Sequence, residues 1–176
     1  MDPTATTLVF ADRRTEGAFP VTATDGTVIA RIRNRRVGTH FVVEDARGAT
    51  LCSGATAWHG LSSTWHVNGP DGAALLEVRK STIRSRADVE LARGGTLLAE
   101  GSWARRAFEV RDGAQIVLRA TPNARALSPH AYSYAVDVRD GFPLAEAIAI
   151  VHVWRQLRKR DDSTASVAAT TAAVGG

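Results

Sequence analysis

Histidine and cysteine side chains can bind a metal ion or act as a base or nucleophile. The five histidines and the single cysteine are His40, His59, His66, His130, His152 and Cys52. Cys52, His59 and His66 follow one another at intervals of seven residues, which match no standard zinc spacing. On a strand, that interval places successive side chains on opposite faces. We therefore expect no metal site, and we interpret His152, which lies inside an apolar segment, as a neutral core histidine.

Carboxylates could supply acid–base catalysis, but their pattern favours structural ion pairs. Glu77, Glu90, Glu100 and Glu109 alternate with apolar residues, and arginines occupy the corresponding positions of neighbouring segments. Cross-strand pairs of opposite charge explain this arrangement. The sequence contains no G-x-S-x-G elbow, no phosphate-binding glycine loop and no H-E-x-x-H motif. We expect no enzymatic activity, no catalytic residue and no cofactor.

Arginine is the residue type whose chemistry this sequence favours, because a guanidinium group can bind phosphate through two parallel hydrogen bonds. Several arginines alternate along one predicted strand, and others lie in the connections between strands. These candidate anion-binding residues are Arg31, Arg33, Arg35, Arg36, Arg84, Arg86, Arg105 and Arg106. If the fold brings their connections to one end, they could bind an anionic headgroup or a phosphorylated ligand. The alternative is a solvated charged surface without a ligand.

The elements that must position these residues are predicted from a periodicity of two. Apolar and polar residues alternate in short segments from residue 7 to residue 138, which is typical of antiparallel strands with one buried face. Asp-Gly pairs at 25–26, 71–72 and 112–113 predict tight hairpins between them. We predict about twelve strands, near residues 7–12, 19–24, 27–34, 40–46, 50–56, 63–69, 74–80, 87–93, 96–103, 107–112, 115–121 and 131–138.

One segment breaks this pattern. The run from Phe142 to Trp154 is the most apolar in the chain, and basic residues from Arg155 to Arg160 follow it. We predict a helix over about 143–158 that is apolar on nearly every side, and such a helix should be buried. Crossing a bilayer needs about 20 apolar residues, and the run from Phe142 to Trp154 is shorter, so we expect no transmembrane segment. A barrel of about twelve strands is too wide for its own side chains to fill, and this helix would fill it.

The composition predicts one domain in the cytoplasm. We place the domain at residues 7–158, with a flexible N-terminus over 1–6 and a disordered tail over 161–176. A signal peptide is not evident, and a single cysteine suits a reducing compartment. The net charge of +4 is too modest, and exposed aromatic residues are too few, for us to expect nucleic-acid binding.

The ordered sequence of these patterns resembles the LURP-one-related family of the tubby C-terminal-like superfamily, whose fold phospholipid scramblases share. The resemblance is carried by repeated units that begin with Asp-Gly, by GTLLAEGSWARRAFEVRDGAQIVLRAT and by YSYAVDVRDGFPLAEAIAIVHVWRQL. It implies a mainly β fold, a closed antiparallel barrel of about twelve strands around a central hydrophobic C-terminal helix. The acidic calcium-binding segment and the cysteine cluster of scramblases are not evident here, and no relative's ligand residues carry over.

Two functions remain open at this point. Tubby proteins bind phosphoinositides, so the resemblance and the arginine clusters together predict a non-enzymatic binding module for anionic phospholipid headgroups. Such a protein would be cytoplasmic and peripheral to the membrane. The alternative is a structural or adaptor protein that acts through protein–protein contacts, which the missing catalytic motifs also allow.

Overall fold

The computed structural model describes residues 5–11, 18–35, 39–59, 62–81, 85–101, 107–123 and 133–174. Within these residues twelve strands precede one helix. The strands are β1 (Thr6–Phe10), β2 (Ala18–Ala23), β3 (Val28–Arg35), β4 (His40–Asp45), β5 (Thr50–His59), β6 (Ser62–Asn68), β7 (Ala74–Lys80), β8 (Arg86–Leu91), β9 (Thr96–Gly101), β10 (Phe108–Asp112), β11 (Gln115–Pro122) and β12 (Tyr134–Val138), and the helix is α1 (Leu144–Val174).

The strands form a closed antiparallel barrel in which each strand pairs with its neighbours in sequence. The barrel closes between β1 and β12, where Thr6 pairs with Val138 and Phe10 with Tyr134. Closure leaves no unpaired strand edge, because every strand has a partner on both sides. The predicted mainly β class and the twelve-stranded closed barrel are confirmed.

The antiparallel order of the strands defines two ends of the barrel. Even-numbered strands finish and odd-numbered strands start at one end, which we call the turn end, and the opposite strand ends lie at the other, the helix-exit end. Asp25 illustrates the tight turns of the turn end, because its Oδ1 accepts a hydrogen bond of 2.8 Å from the backbone N–H of Thr27. Gly26 has a φ of 87°, a left-handed conformation that glycine adopts without steric cost.

Helix α1 fills the barrel. It begins at the turn end, where Glu146 binds Arg93 of the β8–β9 connection, and it leaves at the helix-exit end, where Asp161 binds Lys80. Its residues 147–151 are at most 1% exposed. The helix is apolar on every side because strands surround it on every side, and the predicted central helix is confirmed.

Small residues on the inner faces of the strands make room for this helix and for large core side chains. Ala30, Ala99 and Ala120 are buried, as the alternation indicates. A side chain at Gly101 would lie 2.5 Å from Cζ2 of Trp154. On β5, Gly54 is buried and its neighbour Ala55 is only partly buried.

The C-terminal end of α1 differs from the sequence prediction. The helix continues to Val174, whereas we expected it to end near residue 158 and a disordered tail to cover 161–176. The physical reason is that residues 161–174 contain neither glycine nor proline, the two residue types that most strongly oppose a helix. Of the predicted flexible N-terminus, residues 1–4 lie outside the described residues, and β1 already includes Thr6. Among the described residues, no helix combines the length and apolarity needed to cross a bilayer.

Candidate anion-binding site at the helix-exit end

A small basic cavity lies where α1 leaves the barrel, between the end of β7 and the start of β8. Lys80 is the last residue of β7, Arg86 is the first residue of β8, and Ser85 precedes it. The helix contributes Trp154, Leu157, Arg158 and Asp161, whose spacing of i, i+3, i+4 and i+7 places them on one face. The cavity measures about 10 Å³ and is lined by Lys80, Ser85, Arg86, Trp154, Leu157, Arg158 and Asp161. We call it the exit cavity.

The charge of the exit cavity is positive. Lys80, Arg86 and Arg158 carry three positive charges and Asp161 one negative charge, which gives a net charge of +2 for the lining residues. Asp161 binds Lys80 through Oδ1 and Nζ, and both side chains are partly exposed. A net positive cavity that already binds one carboxylate is a suitable environment for an anion.

Two polar groups of the exit cavity have spare binding capacity. The Ser85 hydroxyl is buried and has no hydrogen-bond partner within the part of the chain that the structure describes. The Arg86 guanidinium lies 3.9 Å from carboxylate oxygens of both Asp88 and Glu100, beyond normal hydrogen-bond distance. A hydroxyl buried in this way costs about 1–3 kcal/mol of stability, so an anion that accepts its hydrogen bond would be favoured.

Further basic residues of α1 pack against aromatic rings at the same end of the barrel. The Arg155 guanidinium is buried and lies 4.4 Å from the centre of the Phe19 ring. Arg160 lies 5.5 Å from the centre of the Trp65 ring, and partial burial lowers the pKa of its guanidinium. These contacts hold the cationic turns of the helix against the rim of the barrel.

His152 is a core histidine, as the sequence predicted. It is fully buried between the rings of Phe19 and Phe41, whose centres lie 5.7 and 4.6 Å from its own. The side-chain amide nitrogen of Gln156 donates a hydrogen bond to Nε2 of His152 over 3.2 Å. Since Nε2 is the acceptor, the proton of the neutral ring is on Nδ1. Burial, and then the charges of Arg155 and Lys159, lower the pKa of His152 well below its ordinary value.

The arginines predicted from the sequence do not form a single cluster. Arg31, Arg33 and Arg35 share the outer face of β3, as their alternation indicates. Arg33 binds Glu44 at 2.9 Å, and Arg31 donates to the carbonyl of Ala46 at the turn end. Arg35 lies at the helix-exit end of β3, and Arg86 lines the exit cavity. The other four, Arg36, Arg84, Arg105 and Arg106, lie outside the described residues, although each follows an odd-numbered strand.

The cysteine and the histidines form no metal site among the residues that the structure describes. Cys52 is buried beneath α1, and burial raises the pKa of its thiol to about 12. A thiol with that pKa stays protonated at neutral pH and is a poor nucleophile and metal ligand.

A wider groove of about 560 Å³ lies on the outer surface of β11 and β12 near the turn end. Its charged side chains already bind neighbouring groups. Arg119 donates to Glu109 at 3.0 Å, Asp137 accepts a hydrogen bond from Thr7 at 2.7 Å, and Arg139 binds Gln115. Because these groups are paired along the surface, they leave less binding capacity than those of the exit cavity.

The sequence prediction of the site did not include Lys80, Ser85, Arg158 or Asp161. The signal that could have identified the helical residues is the spacing of Trp154, Leu157, Arg158 and Asp161, which places them on one face. The strand residues belong to the same basic connection as Arg84 and Arg86.

Comparison with known proteins agrees with this architecture. The model of the LURP-one-related family matches residues 6–154, which include all twelve strands and the first turns of α1. The chain belongs to the LURP-one-related family. A crystal structure of a protein from Arabidopsis thaliana resembles this LURP-one-related barrel with a TM-score of 0.60 and 20% sequence identity, over 86% of this chain and 91% of that chain. At this identity the likeness shows the fold alone. No curated protein matches the chain.

Proposed function

We propose that this LURP-one-related protein is a non-enzymatic binding module for phosphate-bearing anions, such as the headgroups of anionic phospholipids. The observation that supports the proposal is the convergence of Arg35, Lys80, Arg86 and Arg158 on the helix-exit end, since β3, β7, β8 and α1 each bring a cation there. Hydrogen bonds between such cations and phosphate oxygens are roughly twice as strong as neutral ones. On this proposal the protein acts in the cytoplasm at the periphery of an anionic membrane.

Vesicle co-sedimentation tests the proposal. The purified protein is mixed with vesicles of phosphatidylcholine alone or of phosphatidylcholine with a phosphoinositide, at low and at high salt. We expect pelleting with the anionic vesicles only, and less pelleting at high salt, because salt screens attraction between exposed charges. Equal pelleting with both vesicles, or none with either, would contradict the proposal.

A matched pair of variants locates the binding surface. Arg86→Gln removes a positive charge at the helix-exit end, and Arg31→Gln removes one from the outer face, where Arg31 reaches Ala46 at the turn end. We expect Arg86→Gln to weaken binding and Arg31→Gln to leave it unchanged, once circular dichroism has shown that both variants are folded. An equal loss in the two variants would indicate attraction to net charge rather than to this end of the barrel.

The adaptor function stays a prediction from the sequence. Affinity capture from a cell lysate tests this function, with the wild-type protein and the Arg86→Gln variant as the two baits. A stoichiometric protein partner, together with vesicle binding that does not distinguish anionic from neutral lipid, would favour the adaptor over the lipid-binding module.

A further inference from the structure

We propose that the exit cavity binds one phosphate group, and that Asp161 occupies the position of that group until the ligand displaces its carboxylate from Lys80. This inference rests on the proposed function, because it names the site at which the anion binds and the contact that regulates it. It involves residues on β7, β8 and α1 that no sequence motif connects.

The size of the cavity requires the displacement. About 10 Å³ is room for roughly one water molecule and not for a phosphate group. The Asp161 carboxylate lines this space and binds Lys80. Withdrawal of the Asp161 side chain makes room for a phosphate group, and it leaves an ammonium group that needs an anionic partner.

The chemistry of the lining favours the exchange. A carboxylate accepts hydrogen bonds through two oxygens, whereas a phosphate monoester brings three and a charge between about −1.5 and −2 at pH 7. Besides Lys80, the additional oxygens can reach the Ser85 hydroxyl, which no described residue binds, and the Arg86 guanidinium, whose two carboxylate neighbours stand at 3.9 Å. Phosphate thus uses binding capacity that Asp161 leaves unused.

The position of Asp161 allows it to move without disturbing the core. Its side chain is 20% exposed and that of Lys80 is 27% exposed, so both border solvent. The buried part of α1 ends before it, since Leu157 and Arg158 are buried and Lys159 is not. A change of the Asp161 rotamer therefore breaks one ion pair and leaves the packing of the helix inside the barrel intact.

The test measures binding of inorganic phosphate and of a soluble inositol phosphate by isothermal titration calorimetry, and binding of phosphoinositide vesicles by co-sedimentation. Four proteins are compared with the wild type: Asp161→Asn, Lys80→Gln, the double variant, and Asp140→Asn. The last is the matched control, because Asp140 is exposed at the turn end and its substitution changes the net charge by the same amount. We expect Asp161→Asn to bind phosphate about fivefold to tenfold more tightly than wild type, and Lys80→Gln about tenfold more weakly.

The double variant separates local exchange from general electrostatics. If Asp161 acts by occupying Lys80, the gain from Asp161→Asn should disappear when residue 80 is glutamine, because the two substitutions then affect one contact. Tighter binding in Asp161→Asn alone, absent from Asp140→Asn and from the double variant, supports the inference. An equal gain in Asp140→Asn, or a gain that persists with Lys80→Gln, overturns it.

The outcomes for the inference and for the proposed function are distinguishable. If the wild type binds vesicles and neither Lys80→Gln nor Asp161→Asn changes that binding, the proposed binding module is retained. The exit cavity is then overturned as its binding site. Binding of the soluble phosphates with the expected variant pattern, but no preference for phosphoinositide vesicles, supports the cavity and contradicts the lipid as its ligand. No binding of any probe by wild type or Asp161→Asn overturns both.

Discussion

Introducing a carboxylate at Ile150 tests whether α1 is the core of this protein. Ile150 is 1% exposed, and its neighbours one helical turn away are Glu146, Ala147, Val153 and Trp154, none of which is cationic. In Ile150→Asp the charge would therefore be buried against apolar groups and a carboxylate. We expect this variant to lose most or all of its stability at neutral pH.

The magnitude follows from two contributions. Removing a fully buried isoleucine side chain forfeits about 1.5–3 kcal/mol of apolar burial. Burial raises the pKa of a carboxyl group by about 3 units or more, and at 1.36 kcal/mol per unit this adds about 4 kcal/mol at pH 7. The sum, about 6 kcal/mol, is comparable with the whole stability of an ordinary domain, about 5–15 kcal/mol.

Comparing Ile150→Asp with Ile150→Asn isolates the contribution of charge. The folded-state pKa of the new carboxyl lies above its unfolded value of about 3.9, so the two variants should be equally stable below about pH 4. Above that pH the aspartate variant should lose stability relative to the asparagine variant, by up to about 1.4 kcal/mol per pH unit, until the folded-state pKa is passed.

Thermal and urea unfolding followed by circular dichroism provide the measurement. Leu144→Asp is the matched control on the same helix, because Leu144 is 38% exposed in the first turn, where a negative charge is favourable. We expect this control to retain wild-type stability within about 1 kcal/mol. If Ile150→Asp unfolded cooperatively at neutral pH with a midpoint close to that of Leu144→Asp, the central position of the helix would be refuted.

Three further predictions concern other parts of the core. Gly101→Ala should lower the free energy of unfolding by about 1–3 kcal/mol, because its Cβ would lie 2.5 Å from Trp154, and Trp154→Phe should recover part of that loss in a double-mutant cycle measured in urea. Because the pKa of His152 is lowered in the folded state, the free energy of unfolding should fall as the pH drops below about 6.5, by up to about 1.4 kcal/mol per pH unit. His152→Gln should remove this dependence of stability on pH, and an unchanged dependence would contradict the prediction. Cys52, whose thiol has a pKa of about 12, should react with a thiol reagent at pH 8 only after denaturant has unfolded the barrel, and rapid reaction of the native protein would show that the residue is accessible.

Most of the fold could be predicted from the sequence because its signals are local. The alternation that marks a strand such as β3 is complete within eight residues, and each Asp-Gly turn needs only its own short segment. The position of the strands therefore agrees with prediction to within about three residues. The end of α1 was placed wrongly because a stretch of small residues, half of them polar, allows both helix and disorder, and composition alone does not decide between them.

The candidate site could be predicted only in part. Alternation alone predicts that Arg31, Arg33 and Arg35 share one outer face, and they lie on one outer face in the structure. It could not tell that Arg33 is bound by Glu44, because that partner lies on the next strand at a register that the sequence does not specify. Of the four predicted arginines that the structure describes, Arg86 is the one that lines the exit cavity.

The sequence by itself determined which segments are strands, which segment is buried on every side and where the tight turns lie. The tertiary structure decided which charged residues come into contact. Lys80 and Asp161 are 81 residues apart, and they are in contact because the barrel closes around α1 and fixes the height at which the helix leaves it. Periodicity records whether each residue faces the core or the solvent, but it carries no information on how far the helix is inserted. That distance is set by packing along the buried part of the helix, from the Arg93–Glu146 pair at the turn end to Trp154 against Phe108 near the exit.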